Sequence, residues 1–364
     1  MTNPDAAVRA AIGTFVEPAL AQTLADAGAV TGLTLHGRRV ELSLQFGFPV
    51  GGYQRELAAA LTAHLAAAGH PGLDVALDLR SRIDAHAVQR GLTPLPGVRN
   101  VIAVASGKGG VGKSTVATNL ALAWATAGAR VGILDADIYG PSQPLMLGLV
   151  GQHPGSPDGK RITPLEAHGV KAMSIGFLVD PAQAVAWRGP MVTQALTQLL
   201  GDTEWGELDY LVIDMPPGTG DIQLTLAQRV PVAGAVIVTT PQDIALADAR
   251  KGIAMFEKVS VPVLGIVENM SIHVCTHCGH AEHIFGSGGG ARLAAESGVR
   301  VLAELPLDAH IREEADGGHP SVIAAPASPR AAACRQMARN AAGALAVRSR
   351  DRSSVFPKIV VEAS

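Results

Sequence analysis

The chain has few cysteines, little net charge and no long apolar run, and each shortage excludes a class of protein. Three cysteines in 364 residues are too few for a disulfide framework. A net charge of -3 leaves no broad basic surface, so nucleic acid is not an expected partner. No run of about 18 uncharged apolar residues occurs, which argues against a membrane span. The first residues, MTNPDAAVRAAIG, lack an apolar signal core, so we expect a cytoplasmic protein.

The length and the 48% hydrophobic content allow two domains, each with its own core. Residues 1–90 are predicted to form a small α+β domain. Its predicted elements are a helix over Ala6–Ala27, a strand over Arg39–Phe46, a helix over Gln54–Ala68 and a strand over Leu73–Leu79. Residues 91–97 contain two prolines and two glycines and are predicted to be a linker. The main domain is expected over residues 98–345, followed by a tail over 346–364.

Apolar runs and helical segments alternate along the main domain. This alternation predicts an α/β fold, with a mostly parallel sheet flanked by helices on both faces. The runs that predict strands are Val101–Ala105, Val131–Leu134, Tyr210–Ile213, Ala233–Val238 and Val263–Val267.

A glycine-rich phosphate-binding loop follows the first of these runs. Its sequence is GKGGVGKS, from Gly107 to Ser114. Glycines let successive backbone N–H groups face phosphate oxygens, Lys113 adds positive charge, and the Ser114 hydroxyl is a ligand for Mg²⁺. The helix predicted over Thr115–Ala127 places its amino-terminal dipole beneath the phosphates. The motif therefore predicts ATP or GTP binding, and Lys108 is an addition that the ordinary motif does not need.

Aspartates follow two of the predicted strands. Asp135 and Asp137 come directly after one strand, and Asp214 comes after another. The carboxyl ends of parallel strands are where nucleotide chemistry takes place in open α/β sheets. A strand-end aspartate can hold Mg²⁺ or orient an attacking water, although in isolation it is more often a cap or turn residue. Gly218 and Gly220, after Asp214, would let a loop respond to the γ-phosphate.

At this point the chain resembles the Mrp/ApbC iron-sulfur carrier ATPases. These belong to the deviant phosphate-loop class that also contains the MinD and ParA partition ATPases and the nitrogenase iron protein. The segments that carry the resemblance are the loop with its extra lysine, DADIYGPSQP (Asp135–Pro144), DMPPGTGD (Asp214–Asp221) and VENMS (Val267–Ser271). The resemblance extends over about Val98–Pro320. It implies a homodimer that hydrolyses ATP with Mg²⁺ and delivers iron–sulfur clusters to apoproteins, working with cluster scaffold proteins.

The resemblance also implies roles for individual residues. Lys108 would reach the nucleotide of the partner chain and Lys113 would bind phosphate, while Asp137 would position the hydrolytic water. Ser114 and Asp214 would hold Mg²⁺, and Asn269 would contact adenine. The full set of nucleotide-site residues expected is Gly107, Lys108, Gly109, Gly110, Val111, Gly112, Lys113, Ser114, Thr115, Asp135, Asp214 and Asn269.

Two of the three cysteines form a Cys-x-x-Cys pair, Cys275 and Cys278. The pair can direct two thiolates at one metal, which is half of a four-ligand site. Two chains related by a twofold axis would supply four thiolates to one bridging cluster, and the family resemblance implies that this cluster is [4Fe-4S]. The open alternatives are a redox or structural dithiol and an intrachain zinc site completed by nearby histidines. These histidines are His273, His277, His280 and His283.

The first domain resembles a known small domain in part of its sequence. Residues from about Ala6 to Asp84 resemble the small assembly domain associated with iron–sulfur carriers, but GFPVGGY (Gly47–Tyr53) lacks the cysteine that many such domains carry. We therefore expect protein docking or a structural role there. Cys334 lies in a predicted helix and is expected to be buried. A MinD/ParA-like positioning ATPase and a zinc-stabilised regulatory NTPase are the alternative functions.

Overall fold

The computed structural model describes residues 4–178 and 189–348, and the tail predicted over 346–364 lies mostly outside them. The first unit contains a three-stranded sheet in the order β3-β4-β5, with β3 antiparallel and β5 parallel to β4. Helix α2 makes the crossover between the parallel pair. The elements are α1 (Pro4–Gly13), β1 (Val16–Glu17), β2 (Gln22–Thr23), β3 (Val30–His36), β4 (Arg39–Phe46), α2 (Gln54–Ala67) and β5 (Asp74–Ser81).

The helix predicted over Ala6–Ala27 is wrong in its second half. Helix α1 ends at Gly13, and β1 and β2 form a small antiparallel hairpin in its place. The residue before a proline avoids helical backbone, and Glu17 precedes Pro18. Glu17 is also fully buried, where it accepts hydrogen bonds from Leu20 N (2.8 Å) and Tyr53 Oη (2.7 Å). Strand β3 was not predicted from the sequence.

The second unit is built on an eight-stranded sheet in the order β15-β12-β11-β6-β10-β7-β9-β8. Every pairing in this sheet is parallel except that of β8 with β9. Its first elements are β6 (Val101–Ser106), α3 (Lys113–Thr126), β7 (Val131–Asp135), α4 (Gln143–Met146), β8 (Leu165–Ala167) and β9 (Val170–Ser174). Then follow a 3-10 turn (Ile175–Phe177), α5 (Gly189–Asp202), β10 (Tyr210–Asp214), α6 (Asp221–Arg229), β11 (Gly234–Thr239) and α7 (Asp243–Lys258).

The chain continues through β12 (Val263–Glu268), a hairpin of β13 (His273–Val274) and β14 (Ala281–Glu282), and α8 (Gly289–Glu296). The last elements are β15 (Val301–Glu304), α9 (Ala309–Asp316), α10 (Ser321–Ala324) and α11 (Pro329–Ala346). The predicted fold class is confirmed. All residues of the five predicted strands are buried, as expected of a parallel sheet covered on both faces.

The two units pack against each other around α3 and α11. Gly51 N donates to Ala127 O (3.0 Å) at the carboxyl end of α3. The Arg339 guanidinium of α11 lies 3.7 Å from the centre of the Tyr53 ring and donates to Glu56 Oε1 (2.8 Å). Cys334, also on α11, is buried as predicted, with 3% exposure. The first unit is therefore fixed to the carboxyl end of α3, the helix that follows the phosphate loop.

The predicted linker begins just after a residue that is held firmly by the second unit. Gln89 is buried, and its Nε2 donates to Ala227 O (2.8 Å) and Val230 O (3.1 Å). Its Oε1 accepts from Val232 N (2.9 Å). The domain boundaries at residues 90 and 345 stay predictions. Within residues 4–178 and 189–348, no helix is both long enough and apolar enough to span a membrane.

Candidate functional site: a phosphate loop and an exposed cysteine hairpin

The phosphate loop connects β6 to α3 and needs glycine at defined positions. Gly110 and Gly112 have φ of +79° and +82°, a left-handed conformation that favours glycine. A Cβ atom on Gly112 would lie 2.1 Å from Asn269 Nδ2, and one on Gly107 would lie 2.2 Å from the backbone of Asp248. The loop is therefore enclosed by the segments that follow β11 and β12, and its backbone has the freedom that phosphate binding requires.

Lys113 lies among acidic side chains at the carboxyl edge of the sheet. Its Nζ is 2.5 Å from Asp214 Oδ1, 3.2 Å from Ser114 Oγ and 3.9 Å from Asp137 Oδ2. Neighbouring strands β7 and β10 place Asp135 and Asp214 side by side in register. The structure thus brings together the lysine, the hydroxyl and all three aspartates that the sequence predicts for the nucleotide site.

Sequence reasoning missed Gln143, which connects these groups. Gln143 is fully buried, and its Nε2 donates to Asp214 Oδ2 (2.9 Å). Its backbone N donates to Asp135 Oδ2 (3.0 Å), and its Oε1 accepts from Thr118 Oγ1 (2.7 Å) on α3. Gln143 therefore orients both carboxylates relative to the helix that begins at the phosphate loop. Its position within the segment DADIYGPSQP was the only signal available.

Asp135 and Asp137 have different surroundings. Asp135 is fully buried and accepts hydrogen bonds from the protein: from Asp137 N (3.1 Å), Gln143 N (3.0 Å) and Ser174 Oγ (3.1 Å). Burial, and then the charge of Asp214, raise the pKa of Asp135 to about 7. Burial also raises the pKa of Asp137, against the opposing charge of Lys113. Asp137 keeps 14% side-chain exposure, so it is the more accessible of the two.

The raised pKa of Asp135 predicts a pH-dependent stability. Its folded-state value of about 7 lies above that of an unfolded aspartate, about 3.9. The stability contribution of Asp135 is therefore fully present below about pH 4 and lost as the pH rises through about 7. In nucleotide-free protein, we expect Asp135→Asn to become more stable relative to wild type between about pH 5 and pH 8. Urea unfolding across this range measures the difference.

Asp158→Asn is a control for this pH series. Backbone N–H groups of Arg161 and Lys160 lower the pKa of the exposed Asp158 carboxyl. Its titration therefore changes stability only as the pH falls below about 4, and its difference from wild type should be constant between about pH 5 and pH 8. A pH-independent difference for Asp135→Asn over the same range would contradict the raised pKa.

Lys108 lies within the phosphate loop, and Asn269 lies beside it. Lys108 is half-buried, with Nζ 3.5 Å from Gln242 Oε1. Asn269 Nδ2 donates to Val111 O (2.9 Å), so Asn269 supports the loop itself. The nearby Thr115 is half-buried at the start of α3. The reach of Lys108 into a partner chain and the contact of Asn269 with adenine stay predictions.

The cysteine pair lies on the hairpin formed by β13 and β14. Cys275 N donates to His280 O (2.8 Å), and Gly279 N donates to Cys275 O (2.9 Å), which closes a tight turn around the pair. Cys275 is half-buried and Cys278 is exposed. Backbone N–H groups of Cys278 and His277, with the Cys278 thiol, lower the pKa of Cys275. The hairpin therefore presents two accessible thiols, one of them biased toward the thiolate that binds metals.

The nearby histidines do not complete a metal site within one chain. His273 Nδ1 is 3.0 Å from Leu307 O, and His283 Nδ1 is 2.7 Å from Ser271 O, which leaves Nε2 as the nitrogen of each ring that could bind a metal. Across the two described ranges, no three or more His, Cys, Asp or Glu side chains are grouped to hold one ion. Two thiols from one chain leave a four-ligand site half filled.

The phosphate loop between a buried strand and a helix, with acidic side chains on the adjacent strands, defines a P-loop NTPase fold. A ParA family model described as "NUBPL iron-transfer P-loop NTPase" matches residues 97–342, and the chain belongs to this family. The chain is 61% identical over 263 residues to a Pseudomonas fragi protein named iron-sulfur cluster carrier protein. The match covers 72% of this chain and 92% of the relative. A Deinococcus radiodurans protein of the same name is 45% identical over 346 residues, covering 95% and 96%.

Solved structures agree with this fold. A nucleotide-binding protein from Archaeoglobus fulgidus in complex with ADP is 42% identical, with a TM-score of 0.55, and the match covers 61% of this chain and 87% of that one. The cell division ATPase MinD from Pyrococcus furiosus is 24% identical, with a TM-score of 0.50, over 66% of this chain and 97% of that one. The second likeness concerns the fold alone.

Proposed function

We propose that the protein is an ATP-hydrolysing carrier that holds a [4Fe-4S] cluster between two chains and transfers it to apoproteins. The observation that carries the proposal is an accessible thiol pair on a hairpin that begins four residues after Asn269, which itself contacts the phosphate loop. One short segment therefore adjoins both the nucleotide loop and the candidate cluster ligands. Family membership and the names of the relatives agree with this reading.

In the nucleotide half of the proposal, loop N–H groups and Lys113 bind the phosphates of ATP. Ser114 and Asp214 would hold Mg²⁺, which would neutralise developing charge on the phosphates. Lys113 donates to Asp214, so ATP binding would draw Lys113 toward the phosphates and leave the carboxylate available to Mg²⁺. Gln143 keeps Asp214 oriented through its second oxygen. Asp137, the more accessible acid, orients the attacking water.

In the cluster half, a second copy of the chain supplies the missing ligands. A symmetric pair brings two Cys275 and two Cys278 thiolates to one cargo cluster, and Lys108 of each chain reaches the partner's nucleotide. Large exposed apolar side chains support self-association at the carboxyl ends of the large sheet's strands, because three of them follow β7, β9 and β11 and two lie in or just after the cysteine hairpin. They are Tyr139 (61% exposed), Leu178 (47%), Ile244 (70%), Val274 (48%) and Ile284 (49%).

The contacts and exposure of the described residues favour the carrier over the two alternative functions. A zinc-stabilised regulatory NTPase needs four ligands, and the histidines nearest the thiols do not assemble with them in one chain. A positioning ATPase has no use for Cys275 and Cys278, which are held in an exposed turn with a lowered pKa at Cys275.

Anaerobic loading of the full chain with iron and sulfide tests the proposal. We expect one [4Fe-4S] cluster per two chains, measured by iron and sulfide content and visible absorption, in a species that sedimentation shows to be a dimer. The loaded protein should activate an apo iron–sulfur acceptor faster than equal amounts of free iron and sulfide do. Stoichiometric zinc binding by monomers, or an acceptor rate equal to that of the free ions, would reject the carrier function.

A further inference from the structure

Met270 has a strained backbone conformation between the phosphate loop and the cysteine hairpin. Its φ is +57°, in the left-handed region where a Cβ atom is unfavourable for L-residues other than glycine. Within the described residues, the other non-glycine residues with positive φ are Ala21, His168 and Ser260. Strain of this kind persists where neighbouring contacts impose it, and it concentrates at switches and ligand clamps.

On the nucleotide side, the residue before Met270 is held by the phosphate loop and by the end of β11. Asn269 Nδ2 donates to Val111 O (2.9 Å), and Asn269 N donates to Thr239 O (2.8 Å) at the end of β11. A Cβ position on Gly112 lies 2.1 Å from Asn269 Nδ2 and 3.8 Å from Met270 Cε. A shift of the loop at Gly112 therefore displaces the Asn269–Met270 turn directly.

On the cysteine side, the hairpin is tied to the residues that follow Met270. Ser271 donates to Leu305 O through both N (2.9 Å) and Oγ (3.0 Å). Its carbonyl oxygen bonds His283 Nδ1 (2.7 Å) just after β14, and His273 Nδ1 bonds Leu307 O (3.0 Å). The far end of the hairpin is thus anchored through His283 to Ser271, the residue after Met270, and the near end begins three residues after Met270. A change in this turn therefore reaches both ends of the hairpin that carries the thiols.

We propose that Met270 is a positioning residue that transmits the nucleotide state of the phosphate loop to Cys275 and Cys278. The strained turn is held beside the phosphate loop by Asn269, and phosphate binding moves Gly112 and Asn269 and allows the turn to change conformation. The inference rests on the proposed function, because it assigns the coupling between the nucleotide and the cluster ligands to one residue. Its physical basis is a strained backbone element that lies beside the phosphate loop and directly before the segment leading to the cysteine hairpin.

The test measures thiol reactivity in the full, metal-free chain. Iodoacetamide labelling rates of Cys275 and Cys278 are followed by peptide mass spectrometry with and without Mg²⁺ and a non-hydrolysable ATP analogue. In wild type, we expect the analogue to change these rates at least about 5-fold, a typical size for coupling between two sites. Met270→Gly, which adopts positive φ without strain, should reduce this response to about 1, while the Kd for the analogue changes by less than about 3-fold.

Three variants separate strain from other effects. Ser260 also has a φ of +57°, but it precedes the amino end of β12, away from the phosphate loop at the carboxyl ends of the strands. Ser260→Gly relieves this strain and should keep the full response. Met270→Leu retains the Cβ and an apolar side chain, so it should also keep the response. Met270→Asn tolerates left-handed backbone and should lose most of the response, which tests the idea again if the glycine variant does not fold.

The inference is overturned if wild-type rates do not respond to the analogue, if Met270→Gly and Met270→Asn keep the full response, or if Ser260→Gly loses it equally. None of these readouts needs a cluster. A chain whose thiols respond through Met270 but which builds no cluster on loading therefore contradicts the carrier proposal and supports the coupling. A chain that builds the cluster but whose thiols do not respond through Met270 rejects the coupling alone.

Discussion

Replacing Lys113 with alanine is expected to lower the rate of ATP hydrolysis at least about 100-fold, the usual cost of removing one charge-stabilising donor from a transition state. Lys113 is the cation nearest to the acids of the site, 2.5 Å from Asp214 and 3.9 Å from Asp137. Its loss removes the positive charge that faces the phosphates. It also leaves Asp214, which is fully buried, without its ionic partner. Steady-state phosphate release at saturating Mg–ATP measures the effect.

Lys258→Ala is the matched control, because Lys258 is an exposed residue in the last turn of α7. It should hydrolyse ATP at the wild-type rate. Circular dichroism and thermal unfolding of both variants separate loss of chemistry from loss of fold. A Lys113→Ala protein that is folded and still turns over ATP within a few-fold of wild type would remove Lys113 from the mechanism.

The second large effect is expected from the double substitution Cys275→Ala and Cys278→Ala. With both thiols gone, each chain contributes no cysteine ligand from the hairpin, so cluster formation should fall to the background of unspecific iron binding, at least about 10-fold. Both residues lie in an exposed turn whose closing hydrogen bonds are made by backbone atoms, so folding and nucleotide binding should be preserved. Iron and sulfide content and absorption after anaerobic loading measure the loss.

Cys334→Ala provides the control for that experiment. Cys334 is 3% exposed on α11, and burial raises the pKa of its thiol to about 12, so it is a poor metal ligand. This variant should load and transfer clusters as wild type does. A cluster of unchanged amount and spectrum in the double variant would show that other residues hold the cargo, and the bridging site at Cys275 and Cys278 would then be wrong.

Features with a local signal were predicted from the sequence. The apolar run of β6, the glycines of the loop and the helix formers of α3 are consecutive, so their order alone indicates a P-loop fold. The predicted helix over Thr115–Ala127 differs from α3 by two residues at its start and one at its end. Gly128, predicted as its stop, has a φ of +96°, as is common after helices.

Features that depend on distant contacts were missed or wrong. The alanine-rich stretch after Gly13 has helical composition, but the carboxylate of Glu17 is paired with Tyr53, 36 residues away. Gln143 acquires its role only when β10 brings Asp214 beside it, 71 residues along the chain. Asn269 meets Val111 across 158 residues. No spacing rule in one sequence encodes these contacts, because they arise when elements distant in the chain pack together.

The ion pair between Lys113 and Asp214 has a consequence for ligand discrimination. Asp214 supplies an internal anion to Lys113, the lysine of the phosphate-loop motif. Inorganic phosphate or sulfate that drew this lysine away would leave a fully buried carboxylate without a counter-charge, which is costly. A nucleotide that carries Mg²⁺ would supply an anion to Lys113 and a cation to Asp214 at the same time. If the proposed function is right, this ion pair would favour binding of the metal–nucleotide complex over simple anions.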